Sequence, residues 1–146
     1  MGPTASGKSD LAITLAKKYN GEIISADSRQ VYRGMDIGTG KVTRAEQKIA
    51  RHWLLDVASP KRNYNVTHFV RDAKQATADI KKRGKTPIIC GGTGFWIQAL
   101  IEGNSFPAVK PNPELRKTLG KLSAEELLAQ LEKKDPVRAQ AIDAKN

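Results

Sequence analysis

Three short stretches of this chain carry residue types that do chemistry. Gly2-Pro3-Thr4-Ala5-Ser6-Gly7-Lys8-Ser9 fits G-x-x-x-x-G-K-[ST], the spacing of a phosphate-binding loop. Its glycines let the backbone curl so that N–H groups face phosphate oxygens. Lys8 adds a point charge for terminal phosphates, and the Ser9 hydroxyl is a hard oxygen suited to Mg²⁺. A helix opening here turns its positive end toward the same anion. The pattern constrains few positions, so a chance match is the competing reading. Its usual context is a strand before and a helix after, and only Met1 precedes Gly2.

The second stretch is Asp27-Ser28-Arg29-Gln30, directly after a short β-prone run. A carboxylate at a strand end can reach a crevice and accept a proton, so Asp27 is the candidate general base. A local cap, or a partner for Arg29, is the plainer alternative. The third stretch is Gly91-Gly92-Thr93-Gly94. Its glycines allow close backbone approach, and Thr93 could donate a hydrogen bond to a leaving or bridging oxygen. A strand-to-helix turn is the plainer reading here. Arg29, Arg33 and Lys41 could each hold a phosphate or lie as a solvated charge. His52 and His68 are isolated, without metal-ligand spacing, and structural roles are expected for them. Cys90, the one cysteine, sits in an apolar run and reads as a small core residue; it allows no internal disulfide.

The elements that must position these residues alternate between strand and helix patterns. Leu11, Ala12, Leu15 and Ala16 share a face of a first helix, which Asn20-Gly21 ends. Glu22–Ala26 reads as a buried strand, and 33–41 as a glycine-punctuated loop. A short helix over Thr43–Arg51 and a strand over Trp53–Val57 follow, with a turn at Ser59–Asn63. Thr67 can cap a helix to about Arg83, along which Phe69, Val70, Ala73, Ala76 and Ile80 keep helical spacing. Thr86–Cys90 is a strand, and Phe95–Ile101 an apolar helix. This order implies a parallel α/β sheet, in which ligands bind beyond the carboxyl ends of the strands. All three stretches would occupy that end.

Composition shifts at Gly103, and the span to Pro113 holds three prolines. Short polar helices over Pro113–Leu122, Ser123–Lys134 and Pro136–Asp143 follow, thin in core residues, with a capping box at Ser123–Glu126. The reading is an α/β core over 1–104 and the start of a helical subdomain over 105–146. At 146 residues the chain is long enough for one domain with a real core. A net charge of +10, from 25 basic and 15 acidic residues, favours a polyanionic partner. There is no apolar stretch of membrane-spanning length and no visible signal peptide, so a soluble cytoplasmic monomer is expected.

Taken together, the phosphate loop, the run Ile24-Ser25-Ala26-Asp27-Ser28-Arg29-Gln30-Val31-Tyr32-Arg33-Gly34-Met35-Asp36-Ile37-Gly38-Thr39-Gly40-Lys41 and Gly91-Gly92-Thr93-Gly94 resemble the tRNA dimethylallyltransferase family. His52-Trp53-Leu54-Leu55-Asp56 and Tyr64-Asn65-Val66 are similar to further family segments, and the resemblance runs through nearly the whole chain. It implies a P-loop NTPase-like sheet with the start of a helical tRNA-binding insertion. It implies transfer of a dimethylallyl group from dimethylallyl diphosphate to N6 of the adenine beside the tRNA anticodon. By that resemblance Gly2, Pro3, Thr4, Ala5, Ser6, Gly7, Lys8 and Ser9 hold the diphosphate, Ser9 with Mg²⁺, and Lys8, Asp27 and Thr93 are catalytic. Asp27, Ser28, Arg29, Gln30, Thr93 and Arg116 contact tRNA. The family's strand before the phosphate loop is not in this sequence, and the family continues past Asn146. A piece of a longer protein, transferring poorly by itself, is the expectation. Three other functions fit parts of the sequence: a prenyltransferase of free adenine nucleotides, a nucleoside or nucleotide kinase, and a non-catalytic nucleic-acid-binding remnant.

Overall fold

The run Glu22-Ile23-Ile24-Ser25 is buried without a break, and such a strand needs cover on both faces of its sheet. A computed structural model, which describes residues 6–103, 109 and 111–142, supplies that cover. Two compact units are present, Met1–Phe106 and Pro107–Asn146.

In the first unit the order is α1 (Lys8–Lys18), β1 (Gly21–Ser25), α2 (Arg44–Ile49), β2 (His52–Trp53), α3 (Val66–Lys82), β3 (Thr86–Cys90) and α4 (Gly94–Ile101). The strands form one parallel sheet in the order β2-β1-β3, with Ile23 opposite His52 and Ile88. Among the described residues β3 is an edge strand, which accommodates Pro87. Ile24 joins Phe69, Ala73, Ile80 and Trp96 in the core beneath α3 and α4. Ile23, one residue earlier, faces the other way, into a smaller cluster with Ala12, Ile13 and Ala16 of α1. This alternation is the period-two geometry of a strand.

Several elements differ from expectation. The buried stripe of α1 is Ala12, Ile13 and Ala16, while Leu11 is 59% exposed. The stripe is rotated by about one residue, and Ile13 packs with Ala12, Ala16 and Ile23. The second strand stops at Trp53 instead of reaching Val57. Leu54 and Asp56 have φ of 64° and 56°, a left-handed conformation that no strand continues through. The chain turns there to pair with the loop after β1: Asp56 N–H donates to Gln30 O and Ala58 N–H to Val31 O. The cap of α3 is Asn65, not Thr67. Its Oδ1 accepts the His68 N–H at 3.2 Å, and His68 Nδ1 accepts the Asn65 N–H at 3.3 Å.

The second unit holds α5 (Pro113–Leu119), α6 (Ala124–Lys134) and α7 (Pro136–Ala141). The expected box at Ser123 and Glu126 opens α6. Beyond Leu119 the chain forms a turn, and the expected end of the last helix at Asp143 lies outside the described residues. Ala139 is the one buried residue described in these helices, so this unit has little core.

Candidate active site

Gly7 is the residue on which α1 begins. Its φ of 72° turns the chain into the helix, and its carbonyl accepts the Leu11 N–H at 3.1 Å. The first turn of α1 therefore opens onto a cleft of about 510 Å³ at the carboxyl ends of β1 and β3. Ser6, Gly7, Lys8 and Ser9 line one wall, Asp27 and Gln30 a second, and Gly91 and Gly92 a third. The three stretches singled out in the sequence thus meet at one site. Gly2, Pro3, Thr4 and Ala5 lie outside the described residues. Arg116 is an exposed residue of α5 in the second unit.

Close packing of two loops shapes the far wall. A side chain at Gly91 would collide with the Ala26 carbonyl, so only glycine fits where β3 leaves the sheet. Two residues on, Thr93 N–H donates to Ala26 O at 3.1 Å, and Thr93 Oγ1 accepts the Ser28 N–H at 2.9 Å. The Thr93 hydroxyl keeps its own proton to donate.

Asp27 divides its two oxygens between tasks. Oδ1 accepts the Arg29 N–H at 2.8 Å and the Gln30 N–H at 3.3 Å, so the plainer reading of a local cap is true of that atom. Oδ2 lies 3.5 Å from where a side chain on Gly92 would begin, and takes no hydrogen bond among the described residues. One oxygen fixes the loop and the other faces the cleft, the arrangement that a positioned proton acceptor needs.

Gln30 anchors rather than projects. Its amide nitrogen donates to the carbonyls of Thr39 and Gly40 at 3.3 and 3.2 Å, and its oxygen accepts from Ser25 Oγ at 3.4 Å. Of the three cations considered for phosphate, Lys41 is committed elsewhere. Its side chain is 4% exposed, and its ammonium meets Asp36 Oδ1 at 2.7 Å, Asp56 Oδ1 at 2.6 Å and Tyr32 O at 2.8 Å. Burial opposes its charge, but the bonds to Asp36 and Asp56 outweigh it and raise its pKa above the usual lysine value. Arg33 Nε donates to Asp56 O at 2.8 Å. Arg29 is exposed and lines a neighbouring cavity.

Three further groups were not legible in these roles. Cys90 is half-buried and lines the cleft, its Sγ 3.5 Å from Lys8 O; burial pushes its thiol up, against the pull of the Lys8 charge. His52 also lines the cleft, with Nδ1 2.8 Å from Ala50 O, and burial lowers its pKa. Glu22, buried in β1, pairs with Arg83 through bonds of 2.6 and 2.7 Å and with Lys85 at 2.8 Å. A lone acid in an apolar strand is the signal that could have drawn notice to Glu22; its partners lie far along the chain.

The donor set suits Mg²⁺ better than a softer metal. Beside the α1 first turn the cleft offers the hard oxygens of the Ser9 hydroxyl and the Asp10 and Asp27 carboxylates, while the softer His52 and Cys90 on its wall are held to the carbonyls of Ala50 and Lys8. The described residues contain no cluster of three or more His, Cys, Asp or Glu that would cage a metal by themselves. Mg²⁺ commonly keeps waters and takes the rest of its shell from a bound phosphate.

With that geometry in place, the comparisons define the class. The family model described as IPP transferase matches residues 30–146. The chain is 45% identical over 145 residues to a tRNA dimethylallyltransferase of Leuconostoc citreum, covering 99% of this chain and 49% of that protein. It is 51% identical over 139 residues to the tRNA dimethylallyltransferase of Lactococcus lactis subsp. cremoris, covering 93% of this chain and 47% of that one. Among solved structures, the full-length tRNA isopentenylpyrophosphate transferase of Bacillus halodurans aligns with a TM-score of 0.71 at 38% identity, over 99% of this chain and 49% of that one. A eukaryotic dimethylallyltransferase acting on tRNA aligns with a TM-score of 0.84 at 32% identity, over 98% of this chain and 36% of that one. The chain belongs to the IPP transferase family, and its sheet is the P-loop NTPase-like one that the resemblance implied. It spans about half the length of the curated relatives it matches.

Proposed function

We propose that this chain carries the diphosphate-binding and proton-accepting part of a tRNA dimethylallyltransferase. The observation that supports it is the meeting of Ser6–Ser9 with Asp27, Gln30, Gly91 and Gly92 around one cleft, in a chain of this family. The diphosphate of dimethylallyl diphosphate lies against the first turn of α1, where the helix dipole, Lys8 and Ser9 meet negative charge. The Ser9 hydroxyl and an Asp10 oxygen would hold Mg²⁺, which neutralises diphosphate charge when bound.

The adenine leaves its stack to reach the cleft, as bases must when chemistry is done on them. Asp27 Oδ2 accepts a proton from N6 as that nitrogen bonds to the allylic carbon, and the C–O bond to diphosphate breaks. The Thr93 hydroxyl donates to the departing or bridging oxygen. Ser28, Arg29, Gln30 and Arg116 serve tRNA recognition, Gln30 by holding its loop in place. The surplus of positive charge provides phosphate contacts. The site of action is the cytoplasm, and the protein acts as a monomer; no described helix is long and apolar enough to cross a membrane.

A thermal melt with and without Mg²⁺ and dimethylallyl diphosphate, paired with tRNA binding, tests the reading. A melting temperature raised by the diphosphate, and tRNA competing better than AMP, support it. Stabilisation by Mg-ATP with hydrolysis, and none by dimethylallyl diphosphate, would replace it with a nucleotide kinase.

A further inference from the structure

The loop from Gly34 to Gly40 is strapped down on every side except its tip. Gly40 N–H donates to Ile37 O and Lys41 N–H to Asp36 O, each at 3.2 Å. Thr39 Oγ1 donates to Met35 O at 2.6 Å. From outside the loop, Gln30 holds the Thr39 and Gly40 carbonyls, and the buried Lys41 ammonium joins Asp36 to Asp56. At the tip of this tied loop Ile37 is 99% exposed. That side chain packs on nothing in the fold, and with the half-buried Met35 it lines one cavity at the loop.

The surroundings say which kind. A cavity of about 440 Å³ is lined by Arg29, Met35, Asp36, Ile37 and Thr39 together with Gly34 and Gly38. Thr39 also lines the main cleft, so the two spaces are neighbours. Arg29 makes no side-chain hydrogen bond or ion pair among the described residues, whereas the Asp36 charge is met by Lys41. The cavity therefore pairs an apolar surface with an uncommitted cation that lies two positions along the chain from Asp27. A base face with its adjoining phosphate has that same pairing of chemistries.

We infer that the Met35–Gly38 tip is a platform for one unpaired nucleobase next to the nucleotide that enters the cleft, with Arg29 on the phosphate between them. This rests on the tRNA reading above. Ile37 packs on the base face, and the rigid loop means that little order has to be created on binding.

The test is binding of a synthetic anticodon stem-loop RNA by this chain and by Ile37→Ser, with Ile37→Gln as a second variant. The hairpin is made intact, and with a single abasic nucleotide on either side of the target adenosine. Both variants should melt as wild type, since the side chain packs on nothing. Weakening of about five- to tenfold on the intact hairpin is expected, and no further weakening on one of the two abasic hairpins. Unchanged affinity for the intact hairpin overturns the inference, as do equal losses on all three RNAs. Failure of the wild type to prefer the hairpin over a scrambled RNA sinks the tRNA reading itself, and this inference with it.

Discussion

The Thr93 hydroxyl accepts the backbone N–H of Ser28 at 2.9 Å, a bond between residues 65 positions apart. With Thr93 N–H on Ala26 O, it fixes the loop after β3 to the loop after β1. The separation of Gly92 from Asp27 Oδ2 follows from this latch.

Thr93→Val keeps the shape and removes the acceptor. The Ser28 amide then loses its partner, and stability should fall by about 1 kcal/mol in urea unfolding. Amide exchange at Ser28 should speed up while exchange in α3 stays as it was. Thr93→Ser should restore both. An unchanged Ser28 exchange rate in Thr93→Val would show that the latch is not formed in solution.

Asp27→Asn separates the two tasks of that side chain. The amide oxygen can still accept from Arg29 and Gln30, so the melting temperature should stay close to wild type. Transfer from dimethylallyl diphosphate to tRNA, in single turnover at whatever rate the wild type sustains, should drop by about 10²–10⁴. Equal rates for the two proteins would remove Asp27 from the chemistry.

Glu22 gives the fold an acid sensitivity. The Arg83 guanidinium holds its carboxyl well below the usual carboxylate range, against the opposing effect of burial, with Lys85 and the Trp53 indole adding to the lowering. A depressed pKa stabilises the folded state above the unfolded value, near 4.5, and that stability is lost as pH falls toward the folded pKa. Glu22→Gln should lose about 1–3 kcal/mol at neutral pH and show a flatter stability profile below about pH 4.5. Parallel profiles for the two proteins would contradict the assignment.

Lys41→Met removes the ammonium that joins Asp36 to Asp56. The two carboxylates are largely exposed and can be solvated, so the loss should be local. Limited trypsin digestion should cut at Arg33 several times faster in the variant, while cleavage within α3 is unaltered. Because the folded pKa of Lys41 is raised, its clamp holds below about pH 10.5 and is released as pH rises through the higher folded value. Protection of the loop should therefore persist through neutral pH in the wild type.

Much of the fold was legible because its signals are local. The periodic stripe Phe69, Val70, Ala73, Ala76 and Ile80 is buried as its spacing implies. The strands at Glu22 and Thr86 lie within a residue of their expected places. Two of the failures have one cause. Trp53–Val57 is a mostly apolar run that reads as a strand, but Asp56 and Ala58 bond to the loop after β1, a contact that no local pattern encodes. Lys41 reads as a free cation until Asp56, 15 positions later, is folded beside it.

By itself the sequence determined the alternation of strand and helix, the residue types able to meet phosphate, and the family. Each of these depends on neighbours within a few positions or on a long contiguous match. Tertiary structure alone decided that Lys41 is a strut between Asp36 and Asp56, and that Glu22 meets Arg83 and Lys85 inside the sheet. Those outcomes depend on which distant groups share a low-dielectric space. Packing sets that sharing through shape and charge together, and only the folded chain brings the partners within 3 Å.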